Sequence, residues 1–83
     1  MMSNIVYKIV QLSELCEGQE GIIDNITHHI FATRMLAMGI VPGKILRIKK
    51  RQPFGGAYLI EVENQCIGLR KKEAELILLK ISI

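Results

Sequence analysis

Met35-Leu36-Ala37-Met38-Gly39-Ile40-Val41-Pro42-Gly43-Lys44-Ile45-Leu46-Arg47-Ile48-Lys49-Lys50-Arg51 changes its periodicity half-way. Up to Gly39, the apolar residues Phe31, Met35 and Met38 recur at helical spacing, with Leu36 beside them. Gly39 then suits a left-handed cap, Ile40 can fold back on the last turn, and Pro42 blocks continuation. Beyond the Pro42-Gly43 turn, Leu46 and Ile48 alternate with Arg47, Lys49 and Arg51. That is the pattern of a half-buried strand with a basic outer row. The stretch therefore predicts a helix over Thr27–Met38, a sharp turn, and a strand over Lys44–Gln52.

Working outward, the flanks read as short strands. Tyr7–Leu12 has strand composition. Ser13-Glu14-Leu15 suits one helical turn capped by Ser13 and closed by Gly18 in a left-handed conformation. Gly21–Ile26 is a second strand, with Gly21 tolerating a bend or a close approach. After the basic strand, Pro53-Phe54-Gly55-Gly56 makes a hairpin loop. Ala57–Glu63 alternates again, with Tyr58, Ile60 and Val62 on one face and Leu59, Glu61 and Glu63 on the other. Asn64-Gln65 reads as the next turn, Cys66–Leu69 as a strand, Lys71–Glu75 as a helical turn, and Leu76–Ile83 as a final apolar strand.

Five or six short strands and one helix fill a chain of 83 residues. A flat two-sheet sandwich built from so few strands would expose its edges, whereas a strongly bent barrel limits them. The expectation is a mainly β chain: a small SH3-like β-barrel with one α-helix inserted after the second strand, forming a single domain. Aromatics are 5% of the residues and Trp is absent, so the core must be aliphatic. No apolar run reaches the roughly 20 residues of a membrane span. Met1-Met2-Ser3-Asn4 offers neither the basic nor the apolar region of a signal peptide, so none is expected. Cys16 and Cys66 form no CxxC pair, which fits a reducing cytoplasmic setting with both thiols as small apolar fillers.

The formal net charge of +3 is unevenly placed. Residues 1–43 carry Lys8 and Arg34 against Glu14, Glu17, Glu20 and Asp24. Residues 44–51 carry Lys44, Arg47, Lys49, Lys50 and Arg51 with no acid. The remainder balances Arg70, Lys71, Lys72 and Lys80 against Glu61, Glu63, Glu73 and Glu75. One strand therefore supplies the excess.

The segment Met35–Gly43 resembles the RLxxMGIxPG signature of the FeoA family, small cytoplasmic accessory proteins of bacterial ferrous-iron transport. Four further stretches match in order: Leu12-Ser13-Glu14-Leu15 with Gly18 and Gly21, Pro53-Phe54-Gly55, Ile67-Gly68-Leu69-Arg70, and Lys72-Glu73-Ala74. The resemblance spans about residues 7–81 and departs at the second loop proline and at Gly68, where the family commonly has Ala. It implies an SH3-like barrel acting beside FeoB, a large membrane transporter with a cytoplasmic GTPase domain. It also implies kinship with the C-terminal domain of iron- and manganese-dependent repressors, and hence an alternative role as a metal-responsive module binding Fe, Mn or Zn.

Catalytic chemistry has no foothold. No Ser–His–Asp or Cys–His grouping has a reason to converge, and there is no phosphate-binding Gly-x-x-x-x-Gly-Lys loop. His28 and His29 are the only histidines, and adjacent helical residues point about 100° apart. They are solvated residues near a helix start or weak ligands completed by a neighbouring acid. The partner-binding candidates are Arg47, Lys49 and Arg51, spaced about 7 Å apart along a strand, with Arg70 and Lys71 extending the row and Phe54 at the loop tip. The row is a solvated edge guard, a docking surface for an acidic protein, or a phosphate contact. Too few aromatics accompany it for base stacking, so no nucleic acid is expected. Phe54 is either tucked onto the barrel or offered to a partner. The apolar tail leaves homo-oligomerisation open.

Overall fold

The computed structural model describes residues 6–54 and 56–83. The leader reading at Met1–Asn4, and Gly55 of the hairpin loop, lie outside these residues. Six strands alternate in register with short turns: β1 (Tyr7–Gln11), β2 (Glu20–Ile26), β3 (Ile45–Arg51), β4 (Tyr58–Val62), β5 (Gln65–Leu69) and β6 (Ile77–Ser82). One helix, α1 (His29–Ala37), separates β2 from β3, and a single turn, α2 (Lys71–Ala74), separates β5 from β6. Every pairing is antiparallel, in the order β1-β6-β2-β3-β4-β5. The fold is mainly β, as the alternation predicts.

The segments that follow the two edge strands, the turn at Leu12–Glu14 and α2, pack against each other. Leu12 and Leu15, which follow β1, enter the same core as Leu69 and Ala74, which end β5 and α2. The Tyr58 hydroxyl donates to the Ser13 carbonyl across the same junction (3.3 Å). Ile23, Leu46, Ile48, Ile60, Ile77 and Leu79 fill the interior from the strands, and Phe31 and Met35 cover it from α1. Each such fully buried aliphatic side chain contributes about 1.5–3 kcal/mol of transfer free energy. The core is aliphatic apart from Phe31 and Tyr58.

The helix end follows from the sequence almost atom by atom. Gly39 sits at φ 77°, its N–H donating to the Leu36 carbonyl at 2.9 Å, while the Ile40 N–H donates to the Met35 carbonyl at 2.9 Å. This is the paired bonding of a Schellman cap, and it folds Ile40 into the core.

Several boundaries differ from the sequence reading. The helix starts two residues late because Thr27 is held elsewhere: its N–H donates to the Leu76 carbonyl at 2.9 Å, and its hydroxyl to the same atom at 3.2 Å. Leu36, expected beside the buried stripe, is 63% exposed, because α1 lies on the barrel through the buried Phe31 and Met35, with Ala32 and Met38 packed partly beside them. Ser13 does not cap the turn at Leu12–Glu14. Glu14 reaches back instead, its carboxylate accepting from the Gln11 N–H at 2.7 Å. Gly18 does take a left-handed φ of 84°, in the turn Cys16–Gln19. The β4–β5 turn is Glu63-Asn64, one residue earlier than expected, with Glu63 at φ 57°.

Candidate partner-docking face

β3 does not carry one straight basic row. Its register with β4 runs Arg47↔Glu61, Ile48↔Ile60, then Lys50↔Leu59 and Arg51↔Tyr58, so Lys49 is an extra, bulged residue. The bulge reverses the alternation. Lys50 joins the outer face opposite Leu59, and Arg51 moves to the side of the buried Tyr58. The sequence contained a signal for this. Three consecutive cations, Lys49-Lys50-Arg51, cannot alternate against an apolar interior without burying an unpaired charge.

The members of the expected row therefore differ in kind. Arg47 lies between two acids in register, Glu20 on β2 and Glu61 on β4. Arg51 is held locally: Nη1 donates to the Leu15 carbonyl at 3.1 Å, its guanidinium carbon lies 5.3 Å from the Tyr58 ring centroid, and its N–H donates to Glu17 Oε1 at 2.9 Å. Lys44 pairs with Glu63. Lys49 and Lys50 are exposed and form no ion pair among the described residues.

Arg70 and Lys71 follow β5 at the sheet end where Arg51, Tyr58 and Leu69 stand in register. The Arg70 N–H donates to Glu73 Oε1 at 2.9 Å, which starts α2 and leaves the Arg70 side chain in solvent. Phe54 is fully exposed, at φ 59°, on a turn closed by the Gly56 N–H donating to the Pro53 carbonyl at 3.2 Å. It is not tucked onto the barrel.

The metal candidates do not converge. His28 is the N-cap of α1, its Nδ1 accepting from the Phe31 N–H at 3.3 Å. That use of Nδ1 ties the imidazole to the helix, and His29 opens the first turn in solvent. Among the described residues no three His, Cys, Asp or Glu side chains are grouped to hold an ion. The residues present therefore do not fit a preformed metal site. The cysteines are not core fillers: both are free and exposed. Cys16 lies in the surface turn before β2, and Cys66 on the outer face of the edge strand β5, positions that the spacing of two cysteines alone could not reveal.

The FeoA domain family matches residues 10–81. The chain belongs to the FeoA family. It resembles the crystal structure of an iron uptake regulatory protein of that family at 27% identity and TM-score 0.76, over 89% of this chain and 99% of the other. It is similar in fold to FeoA of Stenotrophomonas maltophilia in complex with zinc, a prokaryotic SH3 domain protein advanced as a ferrous iron transport activating factor. That likeness has 24% identity and TM-score 0.72 over 89% of each chain. A manganese-dependent transcriptional repressor shares the fold at 20% identity and TM-score 0.80, this chain covering 94% of itself and 44% of the repressor. No curated protein matches by sequence. No helix among the described residues is long and apolar enough to cross a membrane.

Proposed function

We propose that this FeoA-family chain is a non-enzymatic, cytoplasmic accessory protein of ferrous iron transport that docks on the cytosolic part of an FeoB-type transporter and tunes its activity. One observation carries the docking reading: Lys49 and Lys50 on β3 and Arg70 and Lys71 after β5 are exposed and form no ion pair among the described residues, and the loop that leaves β3 presents a fully exposed Phe54. Charge complementarity would steer the encounter and Phe54 would anchor it. Arg47 and Arg51 contribute less, because the fold already engages them or sets acids beside them.

A pull-down of the transporter's cytosolic domain, at low and high salt, tests the reading. Binding should weaken with salt and fall in a Lys49→Glu/Lys50→Glu double variant and in Phe54→Ala. Unchanged binding in both variants removes these residues from the interface. The alternative, a metal-responsive regulatory module, draws on the fold shared with the repressor. It requires stoichiometric binding of Fe(II), Mn(II) or Zn(II), and a flat calorimetric titration with all three removes it.

A further inference from the structure

β5 is an edge of the sheet without charge or proline, and the end of α1 reaches it at its first residue, where Gln65 Nε2 donates to the Met38 carbonyl at 2.7 Å. Edge strands are ordinarily protected by charges, proline or a cover. β5 reads Gln65-Cys66-Ile67-Gly68-Leu69, with neither charge nor proline, and it pairs on one side only, with β4. Its turn to β4 has two residues, so the closing pair Val62↔Gln65 exchanges hydrogen bonds, and so do Ile60↔Ile67 and Tyr58↔Leu69. Cys66 and Gly68 therefore turn their N–H and C=O groups to the open edge. Neither residue has another backbone hydrogen bond among the described residues.

Gly68 adds a notch. Its φ is not in the left-handed region, and a Cβ built there meets nothing within 4 Å, so the fold itself does not require glycine. Gly68 borders a cleft of about 260 Å³ lined by Lys50, Gln52, Ala57, Tyr58 and Leu59. Lys50, Leu59 and Gly68 stand in one cross-strand row, and Arg70 follows two residues beyond Gly68.

We propose that β5 accepts an extended, acidic segment of a protein partner as a seventh strand. The segment's backbone bonds Cys66 and Gly68. A carboxylate side chain lies over Gly68 and meets Lys50, and a second acid meets Arg70. Backbone pairing gives affinity and the cations select acidic sequences. The inference rests on the docking reading above and specifies its mode.

The test uses the isotope-labelled full chain with two probes: the cytosolic domain of an FeoB-type transporter, and the synthetic peptide Glu-Val-Glu-Val-Glu. The Cys66 and Gly68 amides should exchange at least about tenfold more slowly with either probe. Gly68→Val, whose Cβ meets nothing within 4 Å, and Lys50→Glu should each weaken binding about tenfold while circular dichroism shows both variants folded. A Lys-Val-Lys-Val-Lys peptide should not bind; equal binding overturns the acidic assignment. If the transporter domain binds with both amides unprotected and Gly68→Val without effect, the edge assignment falls and the docking reading stands. If that domain does not bind at all, the docking reading falls. Protection of the two amides by the acidic peptide then still supports the edge, and its absence overturns it.

Discussion

The same substitution, glycine to alanine, should have opposite signs at two positions of this sheet. At Gly21 a Cβ would come within 3.0 Å of both the Lys80 carbonyl oxygen and Ile81 Cγ2, and 3.2 Å from Leu79 Cβ. The obstacle is partly backbone, and it belongs to β6, which is held between β1 and β2 and cannot shift without breaking a ladder. Overpacking of this kind costs about 1–3 kcal/mol, offset by about 0.4–1 kcal/mol from the stiffer unfolded chain. Gly21→Ala should therefore lose about 1–2 kcal/mol. At Gly68 nothing lies within 4 Å, so only the unfolded-state term and the better strand propensity remain. Gly68→Ala should gain about 0.5–1 kcal/mol. For a domain of this size 1 kcal/mol moves Tm by about 4–8 °C, so the two variants should melt at least about 6 °C apart. Thermal and urea unfolding followed by far-ultraviolet circular dichroism reads both. A Gly21→Ala variant as stable as the parent, or a Gly68→Ala variant destabilised by 1 kcal/mol or more, would refute the packing argument.

Other expectations follow from single contacts. Arg51→Lys removes the Nη1 hydrogen bond to the Leu15 carbonyl and weakens the stacking on Tyr58, and should cost about 1 kcal/mol in urea unfolding, whereas Lys49→Gln should stay within about 0.5 kcal/mol. Met35→Ala empties a fully buried position and should lose about 2–5 kcal/mol, while Leu36→Gln, one residue along and exposed, should be nearly neutral by the same measurement. His28→Asp keeps an N-cap acceptor and adds a negative charge at the helix start, so it should raise the melting temperature; His28→Ala should lower stability by about 1 kcal/mol.

The element order was legible because local chemistry dictated it. Gly39, Ile40 and Pro42 end a helix whatever surrounds them, and the alternation at Tyr58, Ile60 and Val62 allows only one face inward. Gly39, Ile40 and Pro42 also carry the family signature. The candidate docking face was legible only as a list of cations. Which of them are free depends on neighbours far away in sequence: Glu20 beside Arg47, Leu15 and Tyr58 around Arg51, Glu63 on Lys44.

By itself, then, the sequence determined a chain of short strands with one helix after the second, an aliphatic core, and an excess of charge near residues 44–51. Those properties depend on periodicity, capping and composition, which are local. Only the tertiary structure decided that Lys49 bulges, that Lys50 and not Arg51 faces outward, that Leu36 and both cysteines are exposed, and that β5 is left as an edge. A strand's outward face is fixed by the register of its partner, and an edge exists only once the strand order is set.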